Sequence, residues 1–137
     1  MARRVTVAST VVSAHLLTIA AHGVVHGIAS VPLSGPQQAF VVAIVGVAPL
    51  VALGLMWQRR ERAGLALLAA SLAGSLWFGV AFHFVLSTPD HVHAVAGRWR
   101  VPFGATASLV ALTDALGLGI MLSSVDLIRK RTAPTER

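Results

Sequence analysis

Residues 5–29 read VTVASTVVSAHLLTIAAHGVVHGIA, a run of 25 positions without one charged side chain. A helix needs roughly 20 mostly apolar residues to cross the hydrocarbon core of a bilayer. Arg3 and Arg4 precede the run, and Thr18-Ile19-Ala20-Ala21 supplies small residues of the kind found at signal-peptide cleavage sites. The apolar stretch nevertheless continues to Ala29, too long for an ordinary signal-peptide core of about 7–15 residues. It is expected to be a retained span.

Working outward, three more runs of this kind follow, at about 38–57, 63–86 and 101–128. Pro32, Ser34, Gly35 and Pro36 make an uncharged turn after the first span. Pro49 stands near the middle of the second, where a proline frees a backbone carbonyl and usually kinks the helix. Gln58-Arg59-Arg60-Glu61-Arg62 is a tight charged connection. Ser87–Arg100 is the longest loop, and Thr88-Pro89-Asp90 reads as the start of a short interfacial helix over 88–97. The expected fold is an all-α integral membrane protein, a four-helix up-down-up-down bundle forming one membrane domain over residues 1–137. In size and helix number the chain resembles small four-helix bacterial membrane families, the DoxX-like proteins among them. That likeness is one of architecture and carries no site residue.

The charges set an orientation. Nine of the eleven basic residues (Arg3, Arg4, Arg59, Arg60, Arg62, Arg129, Lys130, Arg131 and Arg137) fall on one side of the predicted spans, and Arg98 and Arg100 on the other. The positive-inside rule then places both termini in the cytoplasm of a multi-pass plasma-membrane protein. Trp57 and Trp99 fall at the two interfaces, where belt aromatics belong. Asp126 is expected to pair with Arg129, Lys130 or the Arg59 group. The same clustering explains the net charge of +6 without a nucleic-acid partner. Arginine supplies ten of the eleven cations beside abundant Ala, Val and Gly, a composition that points to a GC-rich prokaryotic genome. Cysteine is absent, which excludes disulfides, thiolate ligands and a cysteine nucleophile.

Histidine is where chemistry enters. At about 100° per residue, His15, His22 and His26 fall within roughly 20° of one line on the first helix. Polar side chains facing lipid are costly, so the stripe should face the bundle interior. Gly23 and Gly27 form a G-x-x-x-G on the same helix, a spacing that lets another helix approach closely. His22, His26 and His83 share a depth near the outer leaflet, and Asp90, His91 and His93 lie in the loop just above. The i, i+4 pair His22/His26 can bind one metal ion, with His83 and a loop ligand completing the shell. Nitrogen and oxygen donors suit Zn, Cu, Ni or non-haem Fe. A b-type haem between His22 or His26 and His83, lined by Trp77, Phe78, Phe82 and Phe84, is the other cofactor this depth permits.

Asp114 lies near the centre of the fourth span, where a carboxylate costs roughly 2.5–3.5 kcal/mol on insertion scales. It should meet His15, which lies at the same depth, as a neutral hydrogen-bonded pair or an ion pair. No nucleophile elbow, phosphate loop, dinucleotide fingerprint or His-Glu-x-x-His marks an enzyme with a soluble substrate. Three functions fit these residues. The first is a metal or haem site serving electron transfer or metal handling. The second is a proton-coupled transporter or channel component, working as a homo-oligomer through His15 and Asp114. The third is a non-catalytic subunit of a larger membrane complex.

Overall fold

The structure, a computed structural model, describes residues 2–132, with side chains over 3–125. The described residues contain helices, turns and bends, and no strand. α1 spans Ala2–Ile28. α2 covers Gly35–Trp57, with an α-helical start at Gly35–Phe40, a π-helical stretch at Val41–Val47 and an α-helical end at Ala48–Trp57. α3 covers Glu61–Val85 and closes in a π-helical stretch, Ala81–Val85. A 3₁₀ turn, Gly97–Trp99, leads into α4, Arg100–Thr132. All four helices are long and apolar enough to cross a membrane. Their outward faces are apolar too: Leu17, Trp77, Leu112 and Leu116 are 72%, 66%, 56% and 61% exposed. Helices that are hydrophobic all round belong in lipid.

The helix ends follow from local chemistry. Ser34 caps α2 and forms a reciprocal capping box with Gln37, while Pro36 occupies the first turn, where its missing N–H is not needed. α1 ends in a Schellman turn: Ser30 N–H bonds Gly27 O, Val31 N–H bonds His26 O, and Ser30 takes a φ of 53°. The same motif closes α2, with Arg59 at φ 63° and Arg60 N–H bonded to Leu55 O. Arg4 then meets Glu61 at 3.1 Å, which brings the start of α1 to the start of α3.

The apolar core fills that end of the bundle, built from Ala8, Val12, Ala52, Met56, Leu65, Leu68, Leu72 and Met121. The closest approaches use glycines. A β-carbon on Gly117 would sit 2.8 Å from Val11 Cγ1 and 3.2 Å from Leu72 Cδ1, which locks α1, α3 and α4 together. One on Gly64 would sit 2.7 Å from the Ala52 carbonyl, and one on Gly74 3.1 Å from Ile44 Cγ2. The close approach expected at Gly23 and Gly27 is not made within the chain: a β-carbon at either meets nothing within 4 Å. α1 packs instead on α4 and on the second half of α2.

The proline in α2 has a partner. Residue 49 has no N–H, so Val45 loses its usual donor. His15 Nε2 stands 2.9 Å from Val45 O and replaces it. The Ser71 hydroxyl donates to the neighbouring Ile44 carbonyl at 2.6 Å. Side chains from α1 and α3 thus satisfy two carbonyls in the π-helical stretch of α2.

The long loop departs from expectation. Residues 88–97 do not form a helix; they run as turns and bends until the 3₁₀ turn begins. The loop's backbone groups are used otherwise. Val92 N–H bonds His83 O at 2.9 Å, and the Asp90 carbonyl faces His83 Nδ1 at 3.0 Å, which draws the loop inward over α3. The ion pair expected at Asp126 lies outside the described residues, as do the side chains of Arg129 and Lys130 and all of 133–137.

Candidate metal centre

His22 and His26 are one helical turn apart on α1, and both rings face α3 and α4. His83 reaches them from the π-helical end of α3, a distortion that recurs at functional sites. One nitrogen from each of the three lies within 4.8 Å of the others, so the group could hold a metal ion. His22 Nε2 and His83 Nε2 are 3.2 Å apart. Two nitrogens on one tetrahedral zinc, each at about 2.0–2.1 Å, would be about 3.3 Å apart. Asp90 joins from the loop, with Oδ1 2.9 Å from His26 Nε2 and 3.2 Å from His83 Nδ1. Its side chain is 1% exposed, and neither carboxylate oxygen has an aligned hydrogen-bond donor.

The placement of hydrogens sets the cluster apart. The Thr106 hydroxyl lies 2.9 Å from Pro102 O and 3.1 Å from Phe103 O. Carbonyls only accept, so the hydroxyl hydrogen can go to one of them. Thr106 Oγ1 is then left to accept from His22 Nδ1, 2.9 Å away. By the same logic His83 Nδ1–H donates to the Asp90 carbonyl, and His26 Nδ1–H points at Val31 O, 3.4 Å away. With that placement the hydrogen of each neutral ring sits on Nδ1. The Nε2 lone pairs of His22 and His83 then face each other at 3.2 Å, and that of His26 faces the Asp90 carboxylate at 2.9 Å. A proton on each contact would bridge it, and a metal ion held by the three imidazoles could take the place of both. Metal-binding histidines are oriented in this way, with the outer nitrogen donating to an oxygen.

Burial opposes ionisation of Asp90, yet the imidazoles of His26 and His83 hold its carboxyl below the usual carboxylate range. Phe103 is fully buried and packs on all three imidazoles, with ring centroids 4.8–5.4 Å apart. A cavity of about 190 Å³ adjoins the cluster. Pockets for drug-sized ligands or cofactors run from about 300 Å³ upward, so this one suits an ion and a small ligand better than a macrocycle. Of the aromatics expected to line a haem slot, Trp77 is 66% exposed and turned away.

Four of the six residues expected at this site, His22, His26, His83 and Asp90, are brought together. His91 and His93 are not: their rings lie 5.3 Å from each other on the loop surface, where His91 Nδ1 accepts from His93 N–H. Thr106 and Phe103 are site residues that the sequence does not single out. Their one signal is position, three apart at the start of a span that returns to the depth of His22.

Two helical turns below, His15 and Asp114 form the second polar centre, each 0% exposed. His15 Nδ1 stands 2.5 Å from Asp114 Oδ1. Val45 O accepts from Nε2, so that nitrogen carries a hydrogen. One further proton is shared across the short contact, and the pair is neutral overall wherever that proton sits. Asp114 Oδ2 has no partner.

No known family model, curated protein or solved structure matches the chain.

Proposed function

We propose that this chain is a four-helix integral membrane protein that binds one transition-metal ion through His22, His26, His83 and Asp90, serving metal handling or electron transfer. The single observation that carries this reading is the group of His22, His26 and His83, with one nitrogen of each within 4.8 Å of the others and the buried Asp90 carboxylate beside them. Three nitrogens and an oxygen suit Zn, Cu(II), Ni or Fe. In the topology we favour, the chain runs up-down-up-down as one membrane domain with both termini cytoplasmic. Arginine bias and the Arg4–Glu61 pair support it. The site then lies in the outer leaflet of the plasma membrane, and Asp90 ties the external loop to it.

The test is the metal content of the purified full-length protein after loading and extensive dialysis, read together with its absorption spectrum. The reading expects one equivalent of metal per chain and no Soret band. Protein that retains no stoichiometric metal would remove it, and a Soret band would restore haem.

A second reading has its own observation. The His15–Asp114 pair is fully buried, shares one proton and leaves Asp114 Oδ2 open. Intramembrane pairs of this kind mark proton relays. As a transporter component the protein would work as a homo-oligomer, and Asp114→Asn would abolish transport while the fold persists. Transport surviving that change would exclude the relay.

A further inference from the structure

A cavity adjoins the candidate metal site on its α1–α2 side. α1 and α2 touch where His15 meets the Val45 carbonyl, and α1 is only sparsely in contact with the Gly35–Val47 half of α2. The two helices therefore part toward the linker. The 190 Å³ cavity lies in this gap. Ile19, Leu33, Val41, Val45 and Phe78 give it apolar walls, and its polar lining is Ser75 together with the groups of the metal site. Gly23 lines it directly, and both Gly23 and Gly27 are exposed. Since a β-carbon at either glycine would meet nothing, the two leave the α1 edge of the gap bare. Independently of the glycines, the Asp90 carboxylate is buried beside His26 and His83 without an aligned hydrogen-bond donor and borders the same cavity.

We propose that the gap between α1 and α2 admits a membrane-dissolved amphiphile whose oxygen-donor head reaches the metal ion while its chain stays in the apolar gap and the lipid. This rests on the metal reading. The volume accepts a head group and its first carbons, and lies below the range of about 300 Å³ and upward that encloses a whole ligand. The metal site offers the cation that such a head would ligate, and an ion taking five or six ligands keeps a position beyond the four protein donors. A water-soluble ligand has another way in. A wider depression of about 490 Å³ at the α1–α2 linker, bordered by His26, Ser30 and Gln38, reaches the far edge of the site. Chain length separates the two routes.

Full-length protein in lipid nanodiscs, loaded with Co(II), would be titrated with octanoate and with acetate while the visible spectrum of the bound cobalt is followed. Octanoate should perturb the spectrum at a concentration at least 10-fold lower than acetate does. Gly23→Leu, which fills the gap and leaves every ligand in place, should bring the two within about 3-fold. Val41→Phe should do the same from the opposite wall, which guards against one variant misfolding. Equal action of octanoate and acetate on the wild type, or an unchanged preference in both variants, would overturn the entrance and leave the metal site standing. Cobalt that fails to bind at one equivalent would overturn both.

Discussion

Two histidine–carboxylate centres sit on α1 two turns apart, and they differ in how their hydrogens can be placed. At His15–Asp114 both ring nitrogens are answered: one donates to a carbonyl, the other shares a proton with a carboxyl, and the net charge is zero. At His22/His26/His83/Asp90, with the hydrogens on Nδ1, His22 Nε2 faces His83 Nε2 and His26 Nε2 faces the Asp90 carboxylate. The first arrangement is complete at His15 without a metal. The second is one that a cation would complete. Similar residues on one face of one helix thus acquire different chemistry from the oxygen atoms around them.

The largest effect is expected at the buried pair. His15→Leu leaves the Asp114 carboxyl and the Val45 carbonyl without a partner, and should cost about 3–5 kcal/mol in a reversible unfolding measurement in detergent. The double change His15→Leu/Asp114→Leu should recover a large part of that loss, because both buried polar groups have gone. Equal losses in the two proteins would mean that the pair does not act as a unit. At the cluster, His83→Ala should lower zinc affinity by at least about 100-fold in a competition titration, since it removes a direct ligand and the anchor of Asp90. Asp114→Asn should leave zinc affinity unchanged in the same assay; a matching fall there would merge the two centres into one.

Smaller effects are expected from the atoms around each centre. Thr106→Val removes the oxygen that fixes the His22 tautomer, and should weaken zinc binding by about 10-fold, at the low end for an outer partner of a metal ligand. Asp114→Asn can still donate to His15 Nδ1. It should change stability by less than about 1.5 kcal/mol, the worth of one ordinary hydrogen bond. A loss as large as that of His15→Leu would show that the pair is an ion pair.

Much of this architecture is legible in the amino-acid sequence. The four apolar runs follow from hydrocarbon thickness alone, and the inward stripe of His15, His22 and His26 follows from helical periodicity and the cost of polar groups in lipid. Depth matching across spans then brings His83 to His22 and Asp114 to His15. What stays hidden depends on atoms without a sequence signature. The Val45 carbonyl becomes an acceptor because Pro49 cannot donate, and residue types alone do not say which neighbour will answer. Thr106 acts through the direction of its hydroxyl. Gly23 and Gly27 mislead because small-residue spacing signals room and not what fills it. The loop over 88–97 carries helix-start residues, but Asp90 and Val92 bond to His83 instead of to their own turn.

The most direct test of the metal centre is X-ray absorption at the metal edge of zinc-loaded protein, recorded for the wild type and for His83→Ala. We expect a first shell of nitrogen and oxygen at about 2.0 Å with the multiple-scattering pattern of about three imidazoles, reduced in the variant. A wild-type spectrum without imidazole scattering, or one that His83→Ala leaves unchanged, would contradict it.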